Sequence, residues 1–402
     1  MTLGRKRPGV NPAHVISATV GLSGDLSTCY NASAMRELLD VLERIEALIT
    51  SGRSAALATV VATSGSTYRR PGARMVIAEA SATGTVSAGC LEDELTNAAR
   101  GVIANGDPTL LSFDTREEMD KIAGTGLGCR GTIDVLIEPL TPDGANTRIY
   151  RRLHQALQQE TPCQFALVAE SEVPNLPVGR PILRVGGSPI EDEVFGAGWE
   201  ANLNSLLAES STATGTLELA EGTARVYAEA IDPPPRLIIF GAGFDAMPLA
   251  QLASQMGFRV TVVDPRESYV SKQRFPNADA LRALHPEDIP GGLSLDERAY
   301  AVVMTHNYYR DLEILKRILP SGLRYVGQMG PRARTDELIA DVRASLGPLS
   351  DEELDKLHGP IGLDVGAETP DEIALSIMSE IMAIHRGREA GFLREQDAPI
   401  HH

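Results

Sequence analysis

Residues 236–264 leave few folds open to this chain. An apolar run from Leu237 to Phe240 ends in Gly241-Ala-Gly243-Phe-Asp-Ala246. A helical pattern continues to Gly257, and a second apolar run from Arg259 closes on Asp264. Strand, glycine turn, helix and strand, with an acid ending the second strand, is the Rossmann dinucleotide pattern in its G-x-G-x-x-A form. Gly241 permits the tight turn, Gly243 lets backbone approach a pyrophosphate, and Ala246 keeps the helix close to the sheet. The helix N-terminus adds unpaired N–H groups and a positive dipole end. Asp264 lies 21 residues beyond Gly243, near the offset of an acid that accepts from a ribose 2′-OH. Arg266 falls in the same candidate pocket.

The C-terminal half continues as α/β. Tyr300 to Thr305 reads as a buried strand ending in Thr305-His306-Asn307, and Arg324 to Gly330 as another. In a doubly wound sheet, ligands sit outside the carboxyl ends of the strands. Thr305, His306, Gly327 and Gly330 are therefore expected on the crevice that Gly243 faces, with His306 as a candidate acid or base. Thr369-Pro370-Asp-Glu372 is a capping box with Pro at the first helical position. The helix that follows carries Ile373, Ile377, Ile381 and Ile384 on one face, read as core with a dimer seam as the alternative.

Three prolines, Pro233 to Pro235, form a stiff connector ahead of the Rossmann strand. The boundaries expected are a disordered tail over 1–32, an N-terminal domain over 33–232, a nucleotide-binding domain over 236–386 and a frayed tail over 387–402. Apolar residues at three- and four-residue spacing predict a helix from Met35 to Ile49, and Ala55 to Thr63 predict a strand. Between Ser64 and Arg74 the chain carries Arg69, Arg70 and Arg74 with three hydroxyls, a tyrosine and two glycines. The loop reads as an anion-binding loop, since arginines offer paired donors to phosphate, or as a solvated hairpin loop. Cys90 stands where a strand turns into a helix running to about Asn105, and Cys129 ends a glycine-rich loop just before a strong strand. A thiol at a helix N-terminus meets a positive dipole end that favours thiolate. Cys29 and Cys163 look incidental.

Composition excludes several classes. A net charge of −17 argues against a nucleic-acid partner, which needs a basic surface. No apolar run approaches a membrane span, and the first 30 residues show no secretory core. Four cysteines without a C-x-x-C pair make neither a disulfide framework nor a standard zinc site. A reducing cytoplasm is the expected compartment.

Several of these motifs together resemble the XdhC/CoxI family, the xanthine dehydrogenase accessory proteins. The resemblance covers roughly residues 35–386. It rests on Gly65-Ser-Thr-Tyr-Arg-Arg-Pro-Gly72, Ala88-Gly-Cys-Leu-Glu92, Gly126-Leu-Gly-Cys129, Val135-Leu-Ile-Glu-Pro139, Phe240-Gly-Ala-Gly243, Met304-Thr-His306, Tyr325-Val-Gly327 and His358 to Ala367, in that order. It implies an α/β chain with an N-terminal α+β XdhC/CoxI-type domain followed by a Rossmann-like doubly wound parallel sheet. The implied function is an accessory chaperone that binds molybdenum cofactor, assists its sulfuration and inserts it into a molybdenum hydroxylase such as xanthine dehydrogenase. The partners implied are a cysteine desulfurase, as sulfur donor, together with the molybdenum hydroxylase large subunit. A homodimer is expected. In this reading Arg69, Arg70 and Arg74 suit the pterin phosphate. Cys90 and Cys129 handle sulfur or touch the molybdenum. The Rossmann half holds either the cofactor's nucleotide or NAD(P), as half of a clamp whose other half carries the cysteines. The chain departs from the family in having Ala88 before Gly89, Arg130 after Cys129, and Gln328 at a usually apolar position. The second reading is an NAD(P)-dependent oxidoreductase with an N-terminal cap domain and His306 as general acid/base. It ranks lower because no Tyr-x-x-x-Lys pair or His–Asp dyad is legible in support.

Overall fold

The computed structural model describes residues 32–79, 81–87, 89–114, 130–189, 199–208, 211–219 and 221–395. Nearly all of the tail expected over 1–32, Cys129 with the glycines before it, Ala88 and residues 396–402 lie outside the described residues.

The N-terminal half opens with helix α1 (Ala32–Thr50), whose predicted stripe of Met35, Leu38, Leu42, Ile45, Leu48 and Ile49 is buried. Strands β1 (Ala55–Ser66), β2 (Arg74–Ala78), β3 (Ser81–Gly84), β4 (Thr109–Asp114) and β5 (Arg130–Leu140) form an antiparallel sheet in the order β3-β2-β1-β5-β4. Helix α2 (Glu92–Asn105) lies between β3 and β4 in the chain, and α3 (Ala145–Gln158) follows β5. A second antiparallel sheet, β8-β7-β6-β10-β9, is built from β6 (Cys163–Ser171), β7 (Pro181–Val185), β8 (Ser188–Pro189), β9 (Thr212–Leu219) and β10 (Gly222–Ile231), with α4 (Trp199–Leu206) ahead of β9.

The two sheets share one core. Leu57 and Val61 of β1, Leu136 of β5, the apolar faces of α1 and α3, and Phe165, Leu167 and Tyr227 of the second sheet form a single cluster. On the opposite face of the first sheet, Ala56, Ala58, Val60, Val135 and Ile137 pack against Leu95, Ala99 and Val102 of α2. Trp199 and Leu203 of α4 cover the far face of the second sheet. Burial on both faces explains why β1 and β5 read as continuous apolar runs rather than alternating ones.

The C-terminal half is a parallel sheet of β11 (Arg236–Phe240), β12 (Arg259–Val263), β13 (Ala280–Arg282), β14 (Ala299–Val303), β15 (Tyr325–Gln328) and β16 (Leu357–His358). Its order, β13-β12-β11-β14-β15-β16, is the doubly wound Rossmann order, which reverses between β11 and β14. Helices α5 (Ala246–Gln255) and α9 (Pro370–His385) cover one face. Helices α6 (Tyr308–Ile318) and α7 (Arg332–Leu346) cover the other. The short helix α8 (Asp351–Asp355) precedes β16. The capping box expected at Thr369 with Glu372 forms, and Ser350-Asp-Glu-Glu353, the same sequence pattern, forms a second at the start of α8. The isoleucine stripe of α9 is core: Ile377 and Ile381 are fully buried beside α5, and Ile373 and Ile384 pack against the same cluster.

The halves are joined at the amino ends of the parallel strands. Glu160, just past α3, accepts from Arg236 (2.8 Å) and Arg259 (3.3 Å) and lies 3.5 Å from Arg298. Arg259 also donates to the carbonyls of Leu157 and Gln158, and Arg298 to that of Glu160. Glu160 sits at φ 56°, an uncommon backbone state for a residue with a side chain. Its contacts with all three arginines hold it there. The N-terminal half thus docks at the amino ends of the parallel strands, opposite the nucleotide crevice at their carboxyl ends. This corrects the clamp expectation: within one chain, the crevice and the Cys90 segment do not close on a shared ligand.

Candidate functional site

The register of the first sheet gathers the N-terminal motifs at one end. β1 ends at Ser66, which pairs with Arg130 at the start of β5. β3 runs alongside β2 in the same sense as β1, so the chain leaves Gly84 in the direction of that end on its way to Cys90. β4 also ends there, with Asp114 opposite Thr132. Ser64 and Thr132 hydroxyls meet at 2.6 Å across β1 and β5. Cys129 itself lies outside the described residues, next in the chain to Arg130.

The three arginines of the loop have three different fates. Arg70 is exposed and forms no ion pair among the described residues. Arg69 is half-buried and paired with Glu37 of α1. Arg74 is buried: its guanidinium pairs with the fully buried Glu229 of β10, donates to the Gly72 carbonyl (3.1 Å) and lies 5.0 Å over the Phe165 ring. Tyr227 donates to the other Glu229 oxygen at 2.8 Å. Arg74 therefore ties the two sheets together, and the expectation that it binds phosphate is corrected by its burial. Gly72, at φ 97°, has no room for a side chain, because a Cβ there would lie 2.5 Å from the Tyr227 hydroxyl. Beside this pair, burial pushes the Glu138 carboxyl up to about 8, against hydrogen bonds from Tyr150 and Asn146 and the charge of Arg74. Tyr68 in the same loop is 62% exposed.

Cys90 is an exposed free thiol. It precedes α2 rather than opening it, since the helix starts at Glu92 with Leu91 as its cap. The Ser87 hydroxyl oxygen accepts from the N–H groups of Gly89, Cys90 and Leu91 at 3.1–3.2 Å. The Glu92 carboxylate accepts from the Ser87 and Thr85 hydroxyls and the Ser87 and Leu91 N–H groups. Burial raises the Glu92 pKa, but these bonds outweigh it and hold the carboxyl below its ordinary value. Glu92 therefore caps the helix and meets its positive end, while Ser87 fixes the turn that presents the thiol. Among the described residues no group of three or more His, Cys, Asp or Glu is placed to hold a metal ion.

The second cluster lies at the carboxyl ends of β11 and β14. Gly241, at φ 118°, would place a Cβ 2.5 Å from the Met304 carbonyl oxygen, so the turn beside β14 demands glycine. Ala246 is buried at the first turn of α5. Asp264 is also buried, and its oxygens accept from the Ala242 N–H (2.9 Å) and from Arg266 through its backbone N–H, Nε and Nη2 (2.7–2.9 Å). Burial opposes ionisation, but the bonds from Arg266 and the turn outweigh it and keep the carboxyl below its usual range. Its acceptor positions are filled from within the chain. The Arg266 guanidinium lies 3.8 Å over the Tyr269 ring.

His306 is the least expected feature here. It sits at φ 56°, is 58% exposed at its side chain, and places Nε2 2.6 Å from Asp245 Oδ2. Asp245 occupies the third variable position of the glycine turn and is the N-cap of α5. The sequence reading missed this His–Asp pair because its members lie 61 residues apart. An N-capping acid at the start of α5 was the available signal. Thr305 lies beside the pair, bonded to the buried Asp311, which also takes Gln328 and Arg334. Gly327 is not at the crevice: it is inside β15, where a Cβ would lie 2.1 Å from Ile361. Gly330 follows that strand at φ 137°, beside Arg334.

Comparison with known proteins agrees with this architecture. Residues 237–381 match the family domain described as the XdhC Rossmann domain, and residues 48–114 match the XdhC and CoxI family. A Bacillus subtilis protein described as a probable subunit of xanthine dehydrogenase is 32% identical over 342 residues, covering 84% of this chain and 95% of that protein. An uncharacterised Escherichia coli protein, YqeB, is 28% identical over 169 residues, 42% of this chain and 30% of its own length. A solved structure described as a xanthine dehydrogenase from Bacillus halodurans superimposes with a TM-score of 0.70 at 28% identity, covering 87% of this chain and 96% of that one. Shared motifs, shared architecture and near full-length similarity agree: the chain belongs to the XdhC and CoxI family.

Proposed function

We propose that this protein is an accessory factor for a xanthine dehydrogenase-like molybdenum hydroxylase, binding molybdenum cofactor, assisting its sulfuration and delivering it to the large subunit of the hydroxylase. The observation that carries the proposal is the convergence, at one end of the first sheet, of the exposed Cys90 thiol, the exposed Tyr68 ring, the exposed Arg70, which has no ion pair among the described residues, and the start of β5 just after Cys129. A planar pterin with a phosphate and a soft metal centre needs an aromatic face, a cation and a thiolate in one place. This end of the sheet offers all three on its surface. Once delivered, the cofactor supplies the molybdenum centre at which the recipient enzyme carries out hydroxylation.

In this reading Arg70, with Arg69 released from Glu37, binds the phosphate. Tyr68 stacks on the pterin. Cys90 and Cys129 hold the metal end and accept sulfur from a cysteine desulfurase. The Ser87–Glu92 turn keeps the Cys90 thiol facing solvent, where a partner enzyme reaches it. No described helix is long and apolar enough to cross a membrane, consistent with work in the cytoplasm. The N-terminal site acts by itself, because the N-terminal half docks on the amino ends of the parallel strands, away from the nucleotide crevice. The test is pterin content of the full-length protein purified from a molybdenum-replete host. Near-stoichiometric cofactor in the wild type and its collapse in a Cys90→Ala, Cys129→Ala double variant support the proposal. Unchanged loading in the double variant removes the cysteine assignment.

The NAD(P)-dependent oxidoreductase reading gains one specific support, the His306–Asp245 pair at the crevice. It stays second because Asp264, the acid that would hold a ribose, is closed by Arg266. Hydride transfer to any carbonyl substrate, lost in His306→Gln, would reverse the ranking.

A further inference from the structure

The nucleotide crevice carries its own anion. In a G-x-G-x-x-A turn, the missing side chain of Gly243 leaves the space that a dinucleotide pyrophosphate enters. Here a Cβ at Gly243 would lie 2.5 Å from Asp245 Oδ1, so the Asp245 carboxylate fills that space. The same oxygen accepts from the Ala246 N–H at 3.1 Å, the position in which a bound phosphate would meet the helix. The other oxygen is 2.6 Å from His306 Nε2, and the Asp245 side chain is only 13% exposed. The N–H groups of Gly243 and Phe244 have no partner among the described residues. The other charged groups facing the turn are fixed as well. Arg274 donates to the Ala242 carbonyl at 2.9 Å and lies 5.2 Å over the Phe244 ring. Arg266 is paired with Asp264.

We infer that Asp245, anchored by His306, is the specificity-determining residue of the parallel half: its carboxylate stands in for a pyrophosphate and excludes NAD and NADP from the seat that the fold provides. The fold, the glycine turn and the open N–H groups are those of a dinucleotide site, while a fixed negative charge sits where two further negative charges would have to go. His306 holds the carboxylate in place from the neighbouring strand, across the point where strand order reverses. The turn lies in the parallel half and Cys90 in the N-terminal half, so its specificity is independent of the molybdenum-cofactor reading.

Removing the charge while keeping the cap opens the seat. Asp245→Asn is isosteric and neutral, and Asp245→Ser retains a good N-cap oxygen. Binding of NADH and NADPH to the full-length protein is measured by calorimetric titration for the wild type and both variants, with circular dichroism confirming that each variant is folded. The expected result is a gain in affinity of roughly tenfold or more for at least one nucleotide in both variants, from loss of like-charge repulsion at close range. Affinity in the folded variants equal to or weaker than that of the wild type overturns the inference. So does the absence of binding to all three proteins, because the seat would then not be a latent dinucleotide site.

Discussion

Replacing Arg74 with alanine separates a structural arginine from a ligand-binding one. The Arg74 side chain is 2% exposed and that of Glu229 is 0% exposed. With Arg74 gone, Glu229 keeps the Tyr227 hydroxyl at 2.8 Å but loses the cation that faces it. Breaking a buried pair by removing one partner costs about 3–5 kcal/mol, because the remaining charge is left without compensation in a poor solvent. For a unit of roughly 200 residues, each kcal/mol lowers the melting temperature by about 2–4 °C, so a fall on the order of 10 °C is expected. The assay is thermal unfolding of wild type, Arg74→Ala and Arg74→Met/Glu229→Gln, alongside pterin content. The double variant should recover much of the loss, since neutral replacements of a buried pair are often well tolerated. An Arg74→Ala protein that melts within about 2 °C of wild type yet loses its cofactor would refute the reasoning and return Arg74 to the ligands.

Other outcomes follow from the same structure. Glu138, raised to about 8 by burial from an ordinary 4.5, keeps its proton when folded and loses it when unfolded between those values. Stability from this group is therefore present below pH 4.5 and is lost as pH rises toward 8, by up to about 5 kcal/mol. Glu138→Gln should flatten the corresponding slope in melting temperature against pH, and an unchanged slope contradicts the assignment. Glu160→Gln removes the shared acceptor charge of Arg236, Arg259 and Arg298. Because these groups are partly solvated the cost is small, about 1 kcal/mol, but scanning calorimetry should show the two halves unfolding less cooperatively; one unaltered transition argues against the junction. Gly241→Ala puts a methyl against the Met304 carbonyl at a positive φ and should destabilise the parallel half by more than about 1 kcal/mol; a thermal melt equal to wild type contradicts the geometry.

The parallel half was legible because its signals are local. The run into Gly241, the acid at Asp264 and the caps at Ser350 and Thr369 each lie within a short stretch, and periodicity supplies the rest. Its side-chain chemistry was less so. Asp264 has the right spacing for a ribose ligand, yet Arg266, two residues on, takes its oxygens. Spacing alone does not say which donor an acid accepts from. Gly327 reads as a strand-end glycine facing a ligand, but Ile361 needs its space.

In the N-terminal half, strands such as β1 and β5 were legible, but the core shared by the two antiparallel sheets was not. The partners of Arg74 and Glu138 lie on elements far away in sequence. Arg69, Arg70 and Arg74 look alike within one loop, and only three-dimensional packing separates the sheet tie from the exposed cation. The clamp idea failed for the same reason. Nothing in the Pro233–Pro235 connector tells which end of the parallel strands the N-terminal half will meet. The three arginines at the amino ends of the strands, gathered on Glu160, decide it.

The most direct measurement is mass spectrometry of the small molecules released on denaturing the full-length protein after purification from a molybdenum-replete host. The account predicts molybdopterin, with or without its nucleotide, at close to one equivalent per chain and little NAD(P). NAD(P) at one equivalent with no pterin would contradict it.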